Sequence, residues 1–305
     1  MTTTESPILE LRGVSKRFGA VQALQGVDLA LRPGEVVALV GDNGAGKSTL
    51  IKGIAGIHPF DEGETSFDGR PVAIHGPHDA ADLGIEIVYQ DLALADNLDV
   101  VENMYLGRER TNRFGLLSEE AMERDAADTM SGLAVTTLSS VRQKVAGLSG
   151  GQRQTVAVGK AVMWNSRVVI LDEPTAALGV AQTRQVLDLV NRLGNQGLAV
   201  LLVSHNLHDV FEVADRIVVL RLGQLVGDLD ASQVNQQQVV EAITAGTLTS
   251  VPGMATHATG PGAKRGDDAA EPSADAAESG GAAASTDPTG PTDTDGDRAD
   301  GETTP

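Results

Sequence analysis

The chain has 305 residues, with 42 acidic and 23 basic side chains, a net charge of −19, and no cysteine. That excludes a disulfide framework and a cysteine-ligated metal site. A strongly acidic chain is also a poor generic binder of nucleic acid or anionic lipid, which need clustered Lys and Arg. The longest apolar runs, such as 198–203, fall far short of the roughly 20 residues needed to cross a bilayer. No basic stretch followed by an apolar one opens the chain, so no secretory signal is expected. The absence of cysteine fits a reducing compartment.

Residues 8–31 show short β-like runs broken by Gly13, Gly19 and Gly26, which suggest an antiparallel subdomain. Beyond them, buried-strand runs are expected at 35–40, 85–89, 167–171, 198–204 and 216–220. Helical patterns are expected at 47–57, 119–133, 152–164, 180–193 and 233–245, with Ser118 as the N-cap of the second. Short apolar strands alternating with helices predict an α/β fold with a largely parallel sheet. No internal repeat is present. Residues 251–305 are dominated by Ala, Gly, Thr, Asp, Ser and Pro, with 11 acidic and three basic side chains. We expect residues 1–250 to form the folded body, with a helical part near 91–165, and 251–305 to form a disordered acidic tail.

Three motifs carry chemistry. Gly41-Asp42-Asn43-Gly44-Ala45-Gly46-Lys47-Ser48 matches the phosphate-loop pattern G-x-x-x-x-G-K-[ST], between an expected strand and an expected helix. Glycines let the backbone curl its N–H groups toward a phosphate chain, and the helix N-terminus adds positive potential. Lys47 is expected to reach the β- and γ-phosphates, and Ser48 to bind Mg²⁺. The apolar run 168–171 ends in Asp172 and Glu173. One carboxylate there can hold Mg²⁺, and the other can deprotonate a water. Both can serve one site only if Glu173 already lies in the turn, which Pro174 favours. Ser149-Gly150-Gly151-Gln152 leads into a helix 20 residues before Asp172, a second candidate anion-binding helix start.

Taken together, residues 8–246 resemble the nucleotide-binding subunit of an ATP-binding cassette (ABC) transporter. The resemblance implies the phosphate-loop ABC fold with an antiparallel β subdomain and an inserted helical subdomain. It implies ATP and Mg²⁺ as ligands. Gly41, Asn43, Gly44, Ala45, Gly46, Lys47, Ser48 and Thr49 would cradle the nucleotide as Walker A. Asp172 and Glu173 match Walker B with its catalytic glutamate, and Ser149, Gly150, Gly151 and Gln152 match the signature. Gln90 matches the Q-loop glutamine that senses Mg²⁺ and the attacking water. His205 matches the switch histidine, and Phe18, 29 residues before Lys47, matches the aromatic that stacks on adenine. The resemblance departs at 176–180, where Gly179 stands in place of the usual D-loop aspartate.

That variant, with the stretches 53–63 and 95–109, is similar to the ATPases of monosaccharide importers. The implied function is ATP hydrolysis that powers import of a sugar through separate integral-membrane permease subunits. A sugar-binding protein, periplasmic or lipid-anchored, would take part indirectly. One cassette per chain implies pairing with a second ABC subunit, as a homodimer peripheral to the cytoplasmic face of the membrane, without nucleic acid. The alternatives are an amino-acid or lipid transporter ATPase, a soluble ABC ATPase, and a nucleotide-binding regulator without turnover.

Overall fold

A computed structural model describes residues 6–133 and 138–246. The acidic segment 251–305, expected to be disordered, lies outside the described residues. Two sheets form the framework. The smaller pairs β1 (Leu9–Phe18), β2 (Val21–Leu31), β4 (Glu62–Phe67) and β5 (Arg70–Pro71) in the order β2-β1-β4-β5, all antiparallel. The broken runs expected over 8–31 are thus two long strands. Gly13 and Gly26 sit at φ near +60° where the β1–β2 register shifts, so they bulge the ribbon rather than end it.

The larger sheet has the order β10-β9-β3-β8-β7-β6. Here β3 (Val36–Val40), β6 (Ile85–Val88), β7 (Val168–Asp172), β8 (Ala199–Val203) and β9 (Arg216–Arg221) run parallel, and β10 (Gln224–Asp230) closes the edge antiparallel. Every residue of β3 and β8 is buried, because helices cover both faces and leave no polar alternation to read. Val37, Leu39, Leu201 and Val203 point to one face with Leu50, Ile51 and Ile54 of α1 (Lys47–Ile54). Val36, Val200 and Leu202 point to the other, where α5 (Gly150–Val162) and α6 (Val180–Asn195) pack.

The remaining helices are α2 (Pro77–Asp82), α3 (Val100–Tyr105), α4 (Glu119–Gly132), α7 (Leu207–Val213) and α8 (Gln236–Ala245). Met104 and Tyr105 of α3, Met122 and Met130 of α4, and Val156 of α5 share a separate apolar core. Ser118 does precede α4, but its side chain makes no capping bond. Its carbonyl accepts from the Ala121 and Met122 N–H groups instead. Among the described residues, no helix is long and apolar enough to cross a membrane.

Candidate functional site

The C-terminal ends of β3, β7 and β8 lie side by side, where ligands of open parallel sheets bind. The loop after β3 curls because Gly41, Gly44 and Gly46 adopt φ of +150°, +80° and +110°. Gly41 also approaches β9 so closely that a Cβ would lie 2.1 Å from the Leu220 carbonyl oxygen. Lys47 opens α1, and its ammonium donates to the carbonyls of Gly41 at 2.7 Å and Asp42 at 3.0 Å. The loop thus closes around its own cation.

β7 ends at Asp172, and the chain turns at Glu173, whose φ is +51°. Glu173 therefore does lie in the turn, with its N–H held by the Val203 carbonyl at 2.9 Å. Both carboxylates line one cavity of about 560 Å³ with Asn43, Lys47, Ser48, Thr49 and Gln90. His205 follows β8 and meets Glu173 directly, Nδ1 to Oε2 at 2.7 Å. Gln90, Glu173 and His205 line an adjoining cavity with Gly41, Asp42 and Asn43. Burial, then the neighbouring Glu173, pushes the Asp172 carboxyl above the usual range, against the pull of Lys47 and Lys52. Burial, then the charge of Asp172, likewise raises the Tyr89 phenol.

Ser48, Asp172 and Gln90 offer a hydroxyl, a carboxylate and an amide oxygen to the same cavity. Such hard oxygen donors, too few to encircle a cation, fit Mg²⁺ bound together with substrate phosphates. Among the described residues no group of three or more His, Asp or Glu side chains forms a metal cage.

Two expected groups stand apart. Ser149, Gly150, Gly151 and Gln152 do not line this cavity. Ser149 caps α5 in a reciprocal box, its Oγ accepting from the Gln152 N–H and its own N–H donating to Gln152 Oε1. The two glycines let α5 approach Leu178 and Gln182 at the start of α6. Phe18, the last residue of β1, also lies outside the cavity lining and sets its ring edge-on to His58 at 5.4 Å. Its pairing partner Val21 lines the cavity, with Gln22, Ala23, Leu222 and Gly223. These five were not anticipated, since nothing in their residue types marks a ligand wall. Gly179 caps α6 through its backbone at ordinary extended angles, its N–H donating to Gln182 Oε1 at 3.3 Å.

A doubly covered parallel sheet with a glycine loop, a lysine and two carboxylates at one edge defines a phosphate-loop nucleotide hydrolase. Residues 24–176 match the family model described as ABC transporter. Over 246 residues the chain is 45% identical to the xylose/arabinose import ATP-binding protein of Sulfolobus acidocaldarius, covering 81% of this chain and 97% of that one. It is 45% identical to the fructose import ATP-binding protein of Rhizobium meliloti, covering 79% and 95%. It is 44% identical to a ribose import ATP-binding protein of Burkholderia thailandensis, but spans only 46% of that longer chain. Solved neighbours include a nucleotide-free ABC transporter cassette, with a TM-score of 0.66, 27% identity, and coverage of 73% and 91%. Another is the dimeric cassette MJ0796, with a TM-score of 0.62, 25% identity, and coverage of 73% and 98%. The chain belongs to the ABC transporter family, as an ATP-binding and ATP-hydrolysing cassette.

Proposed function

We propose that this cassette powers import of a monosaccharide through separate permease subunits at the cytoplasmic face of the membrane, working as a pair of copies. The observation that carries this reading is the similarity over nearly the full length of two sugar-import ATP-binding proteins. Phe18 is the proposed adenine contact, at the edge of the site.

Lys47 and the N–H groups of residues 43–49 bind the ATP phosphates, and the open α1 N-terminus adds positive potential. Ser48, Asp172 and Gln90 would hold Mg²⁺, which would supply charge neutralisation for the phosphates. Gln90 also orients the attacking water. Glu173 takes a proton from that water at its carboxylate. His205, bonded to Glu173 at 2.7 Å, orients that carboxylate and faces the terminal phosphate. Positioning and charge stabilisation therefore carry most of the catalysis. Ser149, Gly150, Gly151 and Gln152 lie away from this cavity and serve the ATP of a second copy.

The sugar assignment is tested by purifying the tagged protein from membranes of its own cell and identifying what accompanies it. A permease and a sugar-binding protein are expected. Recovery with an amino-acid-binding or lipid-transport system would overturn the assignment, while leaving the ATPase intact.

A further inference from the structure

The turns that present Glu173 and His205 are joined by a second side-chain bond, deeper than the first. Thr175 Oγ1 donates to Asp209 Oδ2 at 2.7 Å. Asp209 sits in the first turn of α7 and is only 3% exposed. Among the described residues, Thr175 is the one side-chain partner Asp209 has. A carboxylate withdrawn from water in this way is unfavourable unless something holds it.

The geometry around the bond shows what it restrains. Thr175 lies between two non-glycine residues in the left-handed region, Glu173 at φ +51° and Ala177 at φ +60°. Such strained backbone persists only where its surroundings over-determine it. Across the gap, His205 leads into the α7 cap, where the Asn206 side chain accepts from the His208 N–H at 3.1 Å. Asp209 is two residues beyond Asn206's neighbour Leu207, on the same rigid turn. The His205 side chain itself is 73% exposed, so packing cannot orient its ring. Its 2.7 Å contact with Glu173 must be set by the backbone beneath.

We propose that Thr175 and Asp209 are positioning residues, a buried tie that fixes the separation and angle of Glu173 and His205. This rests on the reading of Glu173 as the base and His205 as its partner. Neither Thr175 nor Asp209 is in the lining of the two cavities at the site. The tie lets the two turns move together, so that the base and its orienting imidazole keep their alignment whenever the site closes.

The test is steady-state phosphate release by Thr175→Val, which keeps the shape and removes the donor. We expect kcat to fall about tenfold through misalignment, with KM for ATP close to wild type and the melting temperature lowered, because the buried Asp209 loses its donor. Thr175→Ser, which restores the hydroxyl, should recover most of the rate. Within a Glu173→Gln background, Thr175→Val should cause little further loss, because residues acting as a unit are not additive. If the valine variant does not fold, Thr175→Ala reads the same factor. An unchanged kcat, a loss confined to KM, or an equal factor in the Glu173→Gln background overturns the tie. Wild-type turnover by Glu173→Gln alone fails differently, since it removes the base assignment itself.

Discussion

Lys47 bonds to the carbonyls of its own loop, so replacing it removes both a charge for ATP and a clasp for residues 41–46. Lys47→Ala should lose nearly all ATP turnover while the melt moves little, because the side chain is only half-buried. Phosphate release alongside a thermal scan checks both halves. Asp172 makes the opposite trade. Burial and Glu173 raise its carboxyl, so the folded chain holds that proton more tightly than the unfolded one. Below the unfolded value both states are protonated and the penalty is absent; above the folded value it is present in full. At neutral pH Asp172→Asn should therefore raise the melting temperature of the nucleotide-free protein while abolishing Mg²⁺-dependent turnover. The gain should shrink as pH falls through the carboxylate range. A lowered melting temperature at neutral pH would contradict this account. Sites that destabilise the fold for the sake of chemistry are common in enzymes.

Local chemistry decides which elements were legible. The loop 41–48, the Asp172 edge and the Ser149 turn each announce themselves, because glycines, a lysine and paired carboxylates have few other uses at those spacings. β3, β7 and β8 are equally plain, since strands buried on both faces are unbroken apolar runs. The polar strands β4, β5 and β10 were missed because nothing in Glu62–Phe67 or Gln224–Asp230 alternates cleanly. The short helices α2, α3 and α7 owe their form to packing and caps rather than periodicity. Helix starts were read from residue type, and there the side-chain geometry overrules. Asn235 caps α8 with a reciprocal box to Gln238, so the helix begins at Gln236, three residues after the expected start at Gln233. Asn235→Ala should cost about 1 kcal/mol, the usual value of an N-cap. Ser118→Ala, with no capping bond to lose, should cost less than about 0.5 kcal/mol. Urea unfolding of the two variants distinguishes the caps.

At the scale of the whole molecule, the Ser149 turn lies outside the cavity lined by Lys47, in keeping with the proposal that it serves the nucleotide of a second copy. Glu173→Gln should therefore accumulate an ATP-bound pair of copies, since slowing the water attack by roughly 10²–10⁴-fold leaves the phosphate contacts in place. Light scattering with saturating ATP should report twice the monomer mass; a persistent monomer would count against self-pairing of the isolated cassette. Inside each copy, Arg216 of β9 joins the two sheets. It bonds Glu35 at 2.7 Å, Asp228 at 2.8 Å and the Ala30 carbonyl at the end of β2. Arg216 and Glu35 have side chains only 14% exposed, so Arg216→Ala would strand a poorly hydrated carboxylate. It should cost about 3 kcal/mol in urea unfolding. The mechanical consequence reaches further than stability. A brace at that junction makes the two sheets a single stiff block, so strain from nucleotide turnover cannot be absorbed by hinging between them. We expect it to be relieved in α3 and α4, whose apolar core, shared with part of α5, is separate from the one beneath the two sheets.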